Sequence, residues 1–402
     1  MGNTNRRYIH RALEDSILNA SKQFPIIVVT GPHQTGKTTL LKHLFPHLPF
    51  HTLDDPVKRK LAIEDPALFL ENAKPPCIID EVQYAPELFP HFKMYVDKHR
   101  EETGRFFLSG SQLFPLMQRL SESLAGRVAL FELLGIALKE YPVPSPPTSP
   151  PTLQDLFQRI FTGSYPDPLI HGVDRAVFFR SYLQTYLERD LRQISDIRDL
   201  VIFQNFLELL AARTGSLLNL SEISKILGIS QPTASRWLSI LETSRIVYLL
   251  RPYFKNIEKR VVKTPKLYFT DTGFAAFLLR YPDVETTASG PHNGALFENL
   301  LVSEYLKEKL HGQGLFELYF YRDNHGNEID LVIDHGYRLD LREIKLVKTL
   351  KPTHYATLER LAFLFNNPTL GIISLYDDQI LLSRKVRNIP WWGIHPILMP
   401  TQ

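Results

Sequence analysis

The sequence predicts an α/β protein in three parts. A parallel sheet around a phosphate-binding loop comes first, a helical part with a helix-turn-helix and two strands follows, and a second α/β unit closes the chain. Three observations predict it. Residues Gly31-Pro32-His33-Gln34-Thr35-Gly36-Lys37-Thr38 fit G-x-x-x-x-G-K-[ST] between an apolar run and an apolar-spaced helix. The stretch Leu220 to Leu241 reads as helix, glycine turn and helix. Between residues 298 and 345 a glutamate on an amphipathic helix is followed by Asp and then Glu-x-Lys on strands. Six prolines in the ten residues 142–151 interrupt any helix or central strand, and place the first break there. The expected parts are 1–141, 152–284 and 285–402.

In the first part, Pro25 to Thr30 is short, apolar and β-branched, as a buried parallel strand is. Strand, glycine loop and helix together aim backbone N–H groups at a polyphosphate. In that arrangement the backbone from Gly31 to Thr39 cradles ATP or GTP, Lys37 reaches the β- and γ-phosphates, and Thr38 ligates Mg²⁺. Pro76 to Glu81 is a second apolar strand, ending in two carboxylates. Asp80 is the candidate for holding Mg²⁺ through water and Glu81 for activating the attacking water, which favours hydrolysis over transfer to a metabolite. A third strand from Arg105 ends in Ser109, Ser111 and Gln112, any of which can sense the γ-phosphate.

Composition excludes little but does set limits. The 402 residues are 44% hydrophobic and 22% charged, with net charge +3, as expected of a globular chain for which nucleic acid is permitted but not demanded. A single cysteine, Cys77, rules out a disulfide within the chain and suits a reducing cytoplasm. The amino end leads into a polar helix without an apolar stretch of signal-peptide length, and no run reaches the eighteen or so apolar residues of a membrane span. The expectation is a cytoplasmic protein without membrane contact.

Residues 153–215 read as helices, including Leu183 to Leu191 and Phe203 to Leu210. In the helix-turn-helix, Ser221 is the expected first cap, Gly228 opens the turn, and Ser230 caps a second helix with Pro232 in its first turn. Strands at Arg245–Arg251 and Lys266–Asp271 flank a basic segment holding Lys255, Lys259, Arg260 and Lys263, so the whole reads as a winged helix. DNA contact would use Gln231, Thr233, Ser235 and Arg236, with the basic wing on phosphates. Such a module also serves as a protein-packing unit.

In the last part, Glu298 lies on an amphipathic helix, Asp330 begins an apolar strand, and Glu343 and Lys345 share one strand face. This ordered set is the core of the PD-(D/E)xK nucleases. There Asp330 and Glu343 would hold Mg²⁺ against a phosphodiester, with Glu298 beside them and Lys345 polarising the attacking water. Glu328 becomes a further ligand if the strand starts early. An ordinary salt-bridged edge strand is the alternative for Glu343 and Lys345.

Over almost its entire length the sequence resembles the AAA-family (AAA_14) ATPases that carry a C-terminal domain of unknown function, DUF4143. The resemblance rests on Gly31 to Thr38, Asp80 to Gln83, Leu108 to Gln112, Ser123 to Arg127, Gly163 to Pro166, Tyr186 to Asp190, Lys266 to Gly273, Glu298-Asn299, Glu328 to Asp330 and Glu343 to Lys345. It implies that Arg127 answers the γ-phosphate, in a neighbouring subunit, with a salt bridge inside its own domain as the alternative, and that the chain forms a ring or dimer. The proline-rich stretch 142–151 departs from the pattern. Two functions are then open. One is a Mg²⁺-dependent ATPase driving a DNA-associated winged helix and nuclease-like domain. The other is an ATP-switched regulator that binds nucleic acid or protein and cuts nothing.

Overall fold

The computed structural model describes residues 8–111, 124–141, 150–187, 200–254, 264–312 and 314–394. The first part is a five-stranded sheet of β1 (Ile26–Thr30), β2 (Phe50–Thr52), β3 (Cys77–Asp80), β4 (Phe106–Gly110) and β5 (Val128–Glu132). The strands run in the order β2-β3-β4-β1-β5, and every pairing is parallel. Parallel strands need crossovers, and five helices supply them or pad the faces: α1 (Glu14–Ser21), α2 (Lys37–Leu44), α3 (Pro56–Glu64), α4 (Pro66–Ala73) and α5 (Leu88–Lys98). Asp55 and Asp65 cap α3 and α4, each followed by proline in the first turn, where the missing N–H costs nothing. Both sheet faces are buried. Ile26, Val28 and Ile79 pack with Phe69, Phe89 and Phe92 on one side, and Ile27, Val29 and Phe107 pack with Ile17, Leu40 and Leu41 on the other. The α/β expectation for this part holds, and the apolar runs read from the sequence fall on β1, β3 and β4.

Helices follow: α6 (Leu153–Thr162), α7 (Pro166–Ile170), α8 (Arg175–Tyr182), α9 (Leu200–Ala212), α10 (Leu220–Leu227) and α11 (Gln231–Thr243). Of the expected helix at 183–191, Leu183–Leu187 forms a π-helical turn and the remainder lies outside the described residues. So do the prolines before Pro150 and the basic segment with Lys255, Lys259, Arg260 and Lys263. The α10 cap is Asn219, whose side chain accepts from the Glu222 N–H at 3.1 Å, and not Ser221. Gly228 ends α10 at φ 66°, and Ser230 caps α11 as expected. The antiparallel pair β6 (Val247–Pro252) and β7 (Lys266–Phe269) comes next.

The second sheet comprises β7, β6, β8 (Glu317–Arg322), β9 (Glu328–Asp334), β10 (Leu339–Ile344), β11 (Thr369–Ser374) and β12 (Val386–Pro390), side by side in that order. Its middle is antiparallel, while β6 joins β8 and β10 joins β11 in parallel. The β6–β7 hairpin is therefore an edge of the C-terminal sheet, which crosses the break expected at residue 284. Connecting the two are α12 (Thr272–Leu278), α13 (Val284–Ser289) and the long α14 (Asn293–His311); α15 (Ala356–Leu361) covers the other face. One buried cluster runs from Leu134 through Phe179, Phe206 and Trp237 to Leu301, Phe320 and Trp391, binding helices and second sheet into one core. Among the described residues no helix is long and apolar enough to cross a membrane.

Candidate functional site

The loop after β1 has the shape its sequence requires. Gly31 sits at φ 134°, and a Cβ there would lie 2.1 Å from the Leu133 carbonyl oxygen, so only glycine fits. Gly36, at φ 93°, turns the chain into α2. The N–H groups of the α2 amino terminus thus stand just beyond the carboxyl end of β1, where such groups can receive an anion. Lys37 is buried and folds over its own loop, Nζ donating to the carbonyls of Gly31 at 3.0 Å and Pro32 at 2.7 Å. Thr35 Oγ1 also donates to the Pro32 carbonyl, at 2.9 Å. Pro32, His33 and Gln34 complete the loop, and Thr39 follows on the exposed side of α2.

Thr38 Oγ1 donates to Asp80 Oδ1 at 2.8 Å, and Ser109 Oγ donates to the same carboxylate oxygen. A hydroxyl and a carboxylate meeting beside the loop form a hard-oxygen donor set, which fits Mg²⁺. Glu81, at φ 56°, receives the Gln83 amide and Ser111 Oγ, the latter at 3.3 Å. Ser109 and Ser111 therefore serve different acids, and Gln112 lies outside the described residues. Arg127 is held by Asp97 of the same chain, Nη2 at 2.7 Å and Nε at 2.9 Å. Among the described residues, an arginine that the sequence did not point to reaches this loop from its own chain. Arg11 Nη1 donates to the Thr35 carbonyl at 3.0 Å, its Nη2 to those of Leu134 and Gly135, and its Nε pairs with Glu140 at 3.1 Å. Nothing local marks Arg11, because Thr35 lies 24 residues away in the chain and its other side-chain partners more than 120.

A cleft of about 240 Å³ opens beside the loop. Tyr8, Ile9 and Arg11 line it from the amino end, Gln34 to Gly36 and Thr39 from the loop and α2, and Pro166, Ile170 and His171 from α7 and its end.

The C-terminal constellation also comes together. β9 starts at Glu328, so Glu328 and Asp330 project from one face. Lys345 Nζ lies 2.6 Å from Glu343 Oε1 and 3.6 Å from Asp330 Oδ2, which also accepts the Ile344 N–H at 2.8 Å. Burial first, and the Asp330 charge second, push the Glu343 carboxyl up to about 8; the same two causes raise Glu298 to about 6. Two further groups in the site were not read from the sequence. Lys266 of β7 sets Nζ 3.0 Å from Glu298 Oε1 and 2.6 Å from Glu328 Oε1, and Tyr268 donates its hydroxyl to Glu298 Oε1 at 2.5 Å. Burial opposes the Lys266 charge, yet Glu298, Asp330 and Glu328 outweigh it and hold the pKa above that of an ordinary lysine. Period-2 spacing on β7 shows that Lys266 and Tyr268 share a face, but the acids they meet lie on other elements.

On the helix pair, Gln231, Ser235 and Arg236 are exposed along α11. Thr233 is half-buried, and its hydroxyl bonds to that of Ser230 at 2.8 Å.

Comparison with known proteins extends these observations. Residues 23–142 match the AAA domain family, residues 153–285 a domain of unknown function (DUF8612), and residues 293–392 the domain of unknown function DUF4143. An uncharacterized protein of Mycobacterium tuberculosis is 33% identical over 346 residues, 86% of this chain and 73% of that protein, and one of Mycobacterium bovis gives the same figures. Among solved structures, a Walker-type ATPase of Pyrococcus abyssi is 15% identical with a TM-score of 0.43, covering 68% of this chain and 96% of its own. A RuvB variant of Thermotoga maritima is also 15% identical, with a TM-score of 0.29 over 59% and 85%.

Proposed function

The chain belongs to the family that joins an AAA-type P-loop ATPase domain to a C-terminal DUF4143 domain, and from that premise we propose that it hydrolyses ATP and passes the nucleotide state to a DNA-associated C-terminal half. The observation that carries the reading is the meeting of Thr38, Asp80 and Ser109 beside the loop, with Lys37 folded over that loop and Glu81 next to Asp80 in the chain. ATP enters with its phosphates on the N–H groups of the loop. Its base and ribose take the cleft between Tyr8, Ile9 and Ile170. Lys37 exchanges the Gly31 and Pro32 carbonyls for β- and γ-phosphate oxygens. Thr38 and Asp80 would hold Mg²⁺, which supplies positive charge against those oxygens when bound. Glu81 leaves Gln83 and Ser111, takes a proton from water, and the hydroxide oxygen bonds to the γ-phosphorus as the bond to the β–γ bridging oxygen breaks. The products are ADP and inorganic phosphate.

The partner half is read as a winged helix, with Gln231, Thr233, Ser235 and Arg236 of α11 turned to nucleic acid. Support for a link between the halves is the docking of α14 on the first part. The Leu134 N–H donates to His311 Nε2 at 2.9 Å, the Leu138 N–H to Glu304 Oε2 at 2.7 Å, and His311 Nδ1 lies 3.4 Å from Glu140, the carboxylate that holds Arg11. The test is phosphate release by purified protein with ATP and Mg²⁺, with and without a panel of single- and double-stranded DNA and RNA. Stimulation by DNA is expected. Turnover indifferent to every nucleic acid removes the partner reading.

A second reading, an ATP-switched regulator that cuts nothing, is favoured by one specific observation: Lys266 stands among the acids of the nuclease-like site.

A further inference from the structure

A PD-(D/E)xK site works by converging carboxylate oxygens on a divalent ion, and here at least one oxygen of each acid already meets a protein group. Glu298 Oε1 accepts from both Lys266 Nζ and Tyr268. Glu328 gives one oxygen to Lys266 and the other to Arg322 Nη1, at 3.0 Å. Asp330 lies 3.9 Å from Lys266 on its Oδ1 side, and its Oδ2 takes the Ile344 N–H. Glu343 Oε1 holds Lys345, leaving Glu343 Oε2 as a buried oxygen without a hydrogen-bond partner. Among the described residues, the one trio of His, Cys, Asp or Glu side chains whose ligand atoms come within 4.8 Å of one another is His10, Glu14 and His43, in the nucleotide-binding part. The nuclease-like acids form no such trio.

Lys266 has little freedom to leave. Its side chain is 4% exposed, and its backbone is paired with Leu250 across the β6–β7 hairpin. A magnesium ion needs oxygens at about 2.0–2.1 Å in near-octahedral array. An ion drawing on Glu298, Glu328 and Asp330 would sit within a few ångströms of the ammonium, where like charges in a buried site repel strongly. Asp330 lies between two ammoniums, Lys266 at 3.9 Å and Lys345 at 3.6 Å, and Lys345 holds Glu343 Oε1, so the divalent ion expected of Asp330 and Glu343 does not fit the residues as they stand.

We propose that Lys266, reaching in from the β6–β7 hairpin, is the resident cation of the C-terminal acid cluster and takes the place a divalent ion would need. The cluster is then a closed ion network that joins the hairpin to α14 and β9. It binds no Mg²⁺ or Mn²⁺, and the domain has no metal-dependent cleavage. The inference concerns this cluster alone and is independent of ATP hydrolysis.

The experiment titrates Mn²⁺ alone into the nucleotide-free full-length protein and reads bound ion by electron paramagnetic resonance. In the wild type, Mn²⁺ uptake is expected to be unchanged by Asp330→Asn or Glu343→Gln. Lys266→Met is expected to gain one further Mn²⁺ at least tenfold tighter, lost again in Lys266→Met with Asp330→Asn. Removing a buried cation can unfold a domain, so the wild-type comparison decides alone if Lys266→Met is insoluble. Mn²⁺ binding by the wild type that Asp330→Asn abolishes overturns the proposal. Metal uptake without cleavage of nucleic acid would sink the inference yet leave the regulator reading standing, whereas Mn²⁺-dependent cleavage lost in Glu343→Gln would sink both.

Discussion

In the proposed mechanism Lys37 and Glu81 divide the work of the nucleotide site, and their variants are expected to separate binding from turnover. Lys37→Ala removes the ammonium folded over the loop, and calorimetry with ATP and Mg²⁺ is expected to show affinity weakened at least tenfold. A Lys37→Ala protein that binds ATP like the wild type contradicts the role. Gln83 is a different matter, since its amide and Ser111 hold the Glu81 carboxylate. Gln83→Ala is expected to leave ATP affinity unchanged and to raise basal phosphate release, because Glu81 then leaves its resting contact more readily. A fall in turnover would mean that Gln83 positions Glu81 productively. The loop, Asp80 and Glu81 were legible in the sequence because phosphate chemistry demands neighbouring residues in fixed order. Arg11, Lys266 and Tyr268 were not, because each acts on partners brought together only by folding.

At the scale of elements, caps and strand ends explain where expectation and structure part. Ser221 has the right chemistry for a cap, but α10 starts at Leu220, which makes Asn219 the residue whose side chain meets the first free N–H groups. Asn219→Ala is expected to cost about 1 kcal/mol in a denaturant titration, against little effect of Ser221→Ala. The helix α14 links the C-terminal acid cluster to the nucleotide-binding part, with Glu298 near its start and His311 at its end. His311 Nε2 accepts a hydrogen bond, so its proton is on Nδ1, facing Glu140. Burial foremost holds its pKa below the usual histidine value, with Arg11 and Lys307 adding to that and Glu140 opposing. Arg11 and His311 keep Glu140 itself, against its burial, well below the carboxylate range. The unfolded chain therefore takes up a proton near pH 6.5 that the folded chain refuses. This contribution is whole above that pH and is lost as pH falls through and below it. The melting temperature is expected to fall more steeply from about pH 7 to about pH 5.5 in the wild type than in His311→Gln. Parallel curves contradict a neutral, docked His311.

For the whole molecule, the order of parts was legible but their separateness was not. Proline content and apolar spacing marked a nucleotide-binding part, helices and a second α/β part. Nothing in residues 245–271 said that this hairpin would extend the C-terminal sheet, since strand pairing between β6 and β8 joins segments some 68 residues apart. Arg245 adds a contact in the other direction, its Nε and Nη2 on the two oxygens of the Glu132 carboxylate at the end of β5. The hairpin thus touches the nucleotide-binding sheet and the acid cluster at once. A change in the nucleotide site is expected to be felt at Lys266: hydrogen exchange of β6 and β7 should differ between ATP-bound and free Glu81→Gln protein. Identical exchange would separate the two halves.

The central claim is that the loop after β1 holds ATP and the carboxylate after β3 activates the water that cleaves it. Steady-state release of inorganic phosphate, wild type beside Glu81→Gln at saturating ATP and Mg²⁺, tests it most directly. The account expects turnover in the wild type and a loss of about 100-fold or more in the variant, with ATP binding retained. Equal turnover in the two proteins, or none in the wild type, would contradict it.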